Sequence, residues 1–188
     1  MKKKRLSITE LKKKAEKIKL IILDVDGVLT DGKIVYDSEG REIKAFNIHD
    51  GHGIRLLHDA GISVAIITGR QSKVVEIRAS ELGITDVFQK AHYKNSVYQE
   101  LLKKYNLKDE NAAFVGDDLI DLSILRSVGF AVAVSNAVNE VKEYAHMVTK
   151  KAGGEGAVRE VIDFIIKAQG KWDRVIEVYT RLMSNYAF

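Results

Sequence analysis

Short runs apolar on both faces recur through this chain at intervals that leave room for one helix between each pair. Leu20–Val25, Ser63–Ile67, Ala112–Val115 and Phe130–Val134 are four such runs, and Met147-Val148-Thr149 offers a short fifth. A strand apolar on both sides fits only a sheet covered on both faces, which is the signature of parallel pairing. The intervening stretches carry helical patterns with stop signals. Gly53–Ala60 is closed by Gly61, Ser72–Leu82 by Gly83 and Leu119–Val128 by Gly129, while Asn95–Tyr105 and Ala137–Ala145 complete the set. Strand–helix alternation at this spacing predicts right-handed crossovers and a doubly wound, mostly parallel α/β sheet of Rossmann-like type.

One segment breaks the alternation. Lys33–Asp37 and Glu42–Asn47 flank a Ser38-Glu39-Gly40-Arg41 turn and read as a β-hairpin inserted at residues 33–47. It follows the first strand, where a plain doubly wound fold has a helix. That location is above the carboxyl ends of the strands, where open α/β sheets bind ligands, so a lid or an oligomer surface is its expected role. No large cap domain is expected. The chain divides into a basic amphipathic helix over 1–19, a core domain over 20–170 and a helical tail over 171–188. In the tail Trp172, Ile176, Tyr179 and Met183, with Val175 and Leu182 beside them, fall at helical spacing. This apolar face packs either on the domain or on a partner subunit.

Charge looks at first like an invitation to nucleic acid, with a net of +4. Residues 1–19, however, hold nine Lys/Arg against two Asp/Glu, a net of +7, and the remainder is −3. The leader begins with a Ser7-Ile8-Thr9-Glu10 capping box, and Ile8, Leu11, Ala15 and Ile18 form a helical stripe. A solvated lysine-rich helix face on a mildly acidic body is not a nucleic-acid surface. The chain has no cysteine, which excludes disulfides, thiolate metal sites and cysteine nucleophiles. No apolar run reaches the ~18 residues of a membrane span, and the basic start lacks a secretory apolar stretch, so a cytoplasmic protein is expected.

The chemistry gathers where the strands end. Asp24-Val25-Asp26-Gly27-Val28-Leu29-Thr30 closes the first run. Carboxylates at i and i+2 of an extended chain project to one side and repel unless a cation lies between them. Mg²⁺ supplies that charge through oxygen ligands while keeping positions for a phosphate. Thr68-Gly69-Arg70 after the second run offers a hydroxyl and an amide at a helix start, an anion site. Gly116-Asp117-Asp118-Leu119-Ile120-Asp121 after the third run holds three acids, more than capping one helix requires. Lys94 precedes the helix between the second and third of these clusters.

In combination these pieces resemble the haloacid dehalogenase superfamily of phosphotransferases, with DVDGVLT as its first motif, Thr68 the second, Lys94 the third and GDDLID the fourth. The leader ending KIKLIILDVDGVLTDG, the hairpin with its FNIHDGHGIRLL exit, TGRQS and the final GGEGAVREVIDFII further resemble the 3-deoxy-D-manno-octulosonate 8-phosphate (KDO 8-phosphate) phosphatase family over about residues 10–170. The resemblance implies a Mg²⁺-dependent phosphomonoesterase of lipopolysaccharide inner-core synthesis. It implies Asp24 as nucleophile and Asp26 as acid and base. Thr68, Gly69 and Lys94 would act on the phosphate oxygens, and Asp24, the Asp26 carbonyl and Asp117 as metal ligands. Asp118 is expected to orient Lys94 or a metal-bound water, and Asp121 to cap the helix or support the metal site from behind. Arg70 and Arg78 are candidates for gripping the substrate carboxylate bidentately, Arg78 being equally readable as an exposed helix residue. His49 and His52 read as a helix-start cluster or as substrate hydroxyl contacts. A homotetramer built through the hairpin is implied as well.

Two rivals share parts of this pattern. Sialic-acid-type (nonulosonate) 9-phosphate phosphatases carry most of the motifs, some with an acid where this chain has Arg70. A receiver-type signalling domain also uses Mg²⁺ and a phosphorylated aspartate. Its phosphorylated residue follows the third strand, however, and that fold has no place for the hairpin.

Overall fold

A computed structural model describes residues 6–184, with side chains through Arg181. Along the chain run α1 (Ile8–Ala15), β1 (Leu20–Leu23), β2 (Val35–Tyr36), β3 (Glu42–Ile43), α2 (Ile48–Asp59), β4 (Ser63–Ile67), α3 (Lys73–Glu81) and β5 (Asp86–Phe88). They are followed by α4 (Lys94–Lys104), β6 (Ala112–Gly116), α5 (Leu122–Leu125), β7 (Phe130–Ala133), α6 (Asn139–Lys142), β8 (Met147–Val148), α7 (Ala157–Ala168) and α8 (Trp172–Ser184). Six strands pair in parallel in the order β5-β4-β1-β6-β7-β8, and β2 and β3 form a separate antiparallel hairpin. Every residue of β1 and β7 is fully buried, as strands covered on both faces must be. Helices flank the sheet, α2 beside α7 with α1 next to it, and α4 beside α5.

This strand order reverses direction at β1, between β4 on one side and β6 on the other. Such a switch point opens a crevice at the carboxyl edge. Register fixes what lines it. Leu23 lies level with Ile66 and with Val115, so Asp24 comes one residue beyond that level and Thr68 and Asp117 two.

The elements differ from the sequence reading in instructive places. Strand β5 has no counterpart in it, because three residues at a sheet edge carry too little periodicity. Helix α2 starts five residues ahead of the expected Gly53, since the Asn47 side chain accepts the His49 N–H at 2.8 Å and caps it there. The expected helix 119–128 is a 3₁₀ turn over Leu119–Asp121 and then the short α5. In that turn the Asp118 carboxylate accepts the Leu119 N–H at 2.7 Å, while Asp121 turns back to accept the Asp117 N–H at 2.9 Å. The hairpin strands are shorter than expected, and α6 covers only the middle of 137–145.

At the amino end, α1 carries the expected capping box, with Ala15 buried, but Ile8 is exposed rather than part of the buried stripe. At the carboxyl end, α8 lays Val175, Trp172 and Tyr179 against the core, the Lys167 ammonium sits over the Trp172 ring at 4.3 Å, and Tyr179 meets His52 edge-on at 5.2 Å. Ile176 remains exposed, and the side chains of Leu182 and Met183 lie outside the described residues.

The glycine loop before α7 is locked onto the loop after β1. Gly154 donates its N–H to the Val28 carbonyl at 3.1 Å, and the Asn47 amide donates to the Gly154 carbonyl at 3.2 Å. A Cβ on Gly153 would lie 1.7 Å from the Gly27 oxygen, so the approach admits glycine alone. Among the described residues no helix is long and apolar enough to cross a membrane.

Candidate active site

Asp24 is 4% exposed at the end of β1, with one oxygen accepting the Val25 N–H at 2.7 Å and the other paired with Lys94 at 2.8 Å. Lys94, the first residue of α4, has a side chain 1% exposed and makes a second pair with Asp121 at 2.7 Å. Asp121 is fully buried and takes the Asp117 and Asp118 N–H groups on its other oxygen, at 2.9 and 3.3 Å. Asp117 enters the same cluster. Its carboxylate occupies the space a side chain on Gly27 would need, with Oδ2 2.1 Å from where that Cβ would be, and Gly27 has φ +88°. The residue after Asp26 is therefore glycine for two reasons, its conformation and its neighbour.

Three carboxylates and one ammonium leave an excess of negative charge in a dry place. Burial, then repulsion from Asp121, raises the Asp24 carboxyl to about 6 despite Lys94. Burial and then repulsion from Asp121, Asp24 and Asp118 raise Asp117 to about 7. For Lys94 burial opposes the charge, but Asp24 and Asp121 outweigh it and the net shift is upward. One oxygen each from Asp24, Asp117 and Asp121 lie within 4.8 Å of one another, and Asp117 Oδ1 is buried without a hydrogen-bond partner. Three clustered carboxylates, one of them with a buried oxygen left unpartnered, are the donor set a hard divalent cation completes.

A second polar cluster lies beside the first. The Lys44 ammonium pairs with Asp26 Oδ1 and lies 3.3 Å from Glu42, on a side chain only 1% exposed. Arg70 bonds Glu42 at 3.1 Å, with its Nε 3.9 Å from Asp26 Oδ2. Two acids and two bases thus tie together the β1 loop, the hairpin and the loop after β4. Thr68 is buried at the end of β4, its N–H bonded to the Phe88 carbonyl at 2.9 Å.

The haloacid dehalogenase-like hydrolase family profile matches residues 71–162. The 3-deoxy-D-manno-octulosonate 8-phosphate phosphatase of Escherichia coli (strain K12) is 51% identical over 160 residues, 85% of either chain. That extent decides the family. The chain belongs to the 3-deoxy-D-manno-octulosonate 8-phosphate phosphatases, among the haloacid dehalogenase-like hydrolases. Solved structures agree. The Yersinia pestis family member superposes with a TM-score of 0.86 at 47% identity, covering 87% of this chain and 89% of its own. The Moraxella catarrhalis member, solved with magnesium, phosphate and KDO, gives 0.90 at 43% identity over 92% and 99%.

Of the residues that the sequence singled out in this phosphatase-family chain, Asp24, Lys94, Asp117 and Asp121 come together in one cluster, and Asp26 and Arg70 in the adjoining one. Lys94 is held by Asp121; Asp118, expected to orient Lys94 or a metal-bound water, is exposed, makes no described contact with Lys94 and caps the 3₁₀ turn. Asp121, expected to cap the helix or to support the metal site from behind, lies inside the acid cluster. A Cβ added to Gly69 would meet only the Ile120 side chain, at 3.8 Å, an ordinary contact distance. Arg78 pairs with Glu81 at 3.0 Å, sits over the Phe46 ring at 5.9 Å and fills the space beside Gly51. Its described contacts join α3 to the hairpin exit and include none of the acid cluster. His49 is exposed at the start of α2, and His52 packs on Tyr179. Glu42 and Lys44 were missed by the sequence reading. Their signal was present, since residues 42, 44 and 46 alternate onto one side of an extended segment.

Proposed function

We propose that the chain hydrolyses KDO 8-phosphate to KDO and inorganic phosphate through an aspartyl phosphate on Asp24. The observation that carries this is the pairing of buried Asp24 with Lys94 beside the unpartnered oxygen of Asp117. One Asp24 oxygen is tied to a backbone N–H and the other to an ammonium that a phosphate oxygen can take over. Asp24 attacks phosphorus while the bond to the sugar oxygen breaks, and Asp26 gives that oxygen a proton. Water then attacks the aspartyl phosphate and returns a proton to Asp26, releasing phosphate and regenerating Asp24. Thr68, the Gly69 N–H and Lys94 hold the non-bridging oxygens as charge shifts.

Asp24, Asp117 and the Asp26 carbonyl would hold Mg²⁺, with Asp121 supporting the site from beneath. Bound there, the ion supplies the positive charge that lets a carboxylate approach a phosphate dianion. Arg70, fixed on one side by Glu42, offers the rest of its guanidinium to the sugar carboxylate. For Arg78 the geometry favours packing over substrate binding.

The hairpin serves as the core of a homotetramer. Ile34, Val35, Tyr36 and Ile43 are 44–58% exposed on it, an apolar patch that an ordinary monomer surface seldom carries. Residues 20–170 form the catalytic domain of a cytoplasmic enzyme, with the described parts of the flanking helices, residues 8–15 and 172–181, bracing it. The decisive experiment measures phosphate release from KDO 8-phosphate and from a nonulosonate 9-phosphate, with Mg²⁺ and then with EDTA. Preference for the first, loss in EDTA and inactivity of Asp24→Asn are expected. Full turnover by Asp24→Asn would reject the nucleophile.

A further inference from the structure

The cluster around Asp26 also contains Lys44. Lys44 belongs to the hairpin insertion, yet its side chain is as buried as that of Lys94. A lysine ammonium so far out of water is retained only with close partners, and its partners are Asp26 Oδ1 and Glu42. Asp26 itself has a side chain 22% exposed, so it is open to the crevice. Its second oxygen lies 3.9 Å from Arg70 Nε, beyond hydrogen-bond reach. One oxygen is therefore clamped and the other left available for a proton.

We propose that Lys44 is a positioning residue: from the hairpin it fixes the Asp26 carboxylate so that Oδ2 faces the substrate oxygen and then the attacking water. This rests on the reading of Asp26 as acid and base. The physical case is that proton transfer requires the two heavy atoms within hydrogen-bond reach, and small displacements of such a group are expensive in rate. Nothing else described pins Asp26 Oδ1. The pair also links the presence of the hairpin to chemistry at the sheet edge, so the insertion would orient the acid as well as cover it.

The test exploits the two half-reactions. Lys44→Met in the full chain with Mg²⁺ should lower kcat on KDO 8-phosphate about 10²-fold with KM little changed. With p-nitrophenyl phosphate, whose nitrophenolate leaves without a proton, formation of the aspartyl phosphate should stay fast. Its hydrolysis, which needs the base, should slow. Stopped-flow then shows a burst of nitrophenolate equal to the enzyme, followed by slow turnover. Lys44→Arg, which keeps a cation in reach of Asp26, should restore much of the steady rate.

A variant that loses the burst and the steady rate by the same factor, or that retains wild-type rates on both esters, would overturn the proposal. If Lys44→Met does not fold, as judged by its thermal unfolding, Lys44→Gln against Lys44→Arg decides. Identical behaviour of those two rejects the role, and a burst confined to Gln supports it. Absence of turnover by the wild-type enzyme on every phosphate ester would instead reject the phosphatase reading, and this inference with it.

Discussion

Lys94 carries much of the electrostatic balance of the site. Among the described residues its ammonium is the one cation paired with both Asp24 and Asp121, at 2.8 and 2.7 Å, in a place where all three side chains are almost dry. Removing one member of a buried ion network leaves charge that neither water nor a partner compensates, at a cost of about 3–5 kcal/mol. Lys94→Met should therefore lose about that much stability in metal-free urea titrations at pH 8, together with activity. The loss should shrink near pH 5. There Asp24 and Asp117, whose carboxyls are raised to about 6 and about 7, take up protons and the stranded charge falls. A loss equal at both pH values would assign the effect to packing. Lys94 as a residue was legible in the sequence through its position only. That Asp121 rather than Asp118 answers it depends on a 3₁₀ turn, which no periodicity announces.

At the scale of elements, the hairpin is the part of the fold with least reason to exist in isolation. Two strands of two residues each, with Val35 and Tyr36 exposed and a turn held by Asp37 and Arg41, bury too little apolar surface to be stable unaided. Its anchoring comes from Lys44 and Glu42 at its base and its coverage, we propose, from other copies of the chain. Tyr36→Glu together with Ile43→Glu should convert the proposed tetramer to monomers in sedimentation velocity while the far-ultraviolet circular dichroism is unchanged. A tetramer that survives both charges would place the interface elsewhere. The hairpin was readable from its turn and alternation. The early start of α2 was not, because Gly51 and Gly53 suggest a helix break that the Asn47 cap and the packing of Arg78 override.

For the molecule as a whole, the acidic cluster sets how stability follows pH. A carboxyl whose folded value is raised above its unfolded value favours the folded state below the unfolded value. It withdraws that support as pH rises through the folded value. Asp24 and Asp117 place this window between about 4 and about 7. The metal-free protein should lose stability across it, and a divalent cation that neutralises the cluster should restore what was lost. Differential scanning calorimetry should accordingly show a larger rise in Tm on adding Mg²⁺ at pH 8 than at pH 5.5. Equal rises at both would mean that the metal does not bind these acids.

The amino-acid sequence alone settled the α/β class, four of the principal strands, the positions of Asp24, Asp26, Thr68 and Asp117 at their carboxyl ends, and Lys94 at the start of a helix. It did so because burial on both faces and the strand-to-helix change of period are local properties. That Asp121 closes the Lys94 network, that Lys44 reaches Asp26 and that Gly153 rests on Gly27 emerges with the folded arrangement. Each of these joins residues distant in the chain. Their pairing is fixed by sheet register and loop approach, which depend on the whole fold and leave no trace in any one segment.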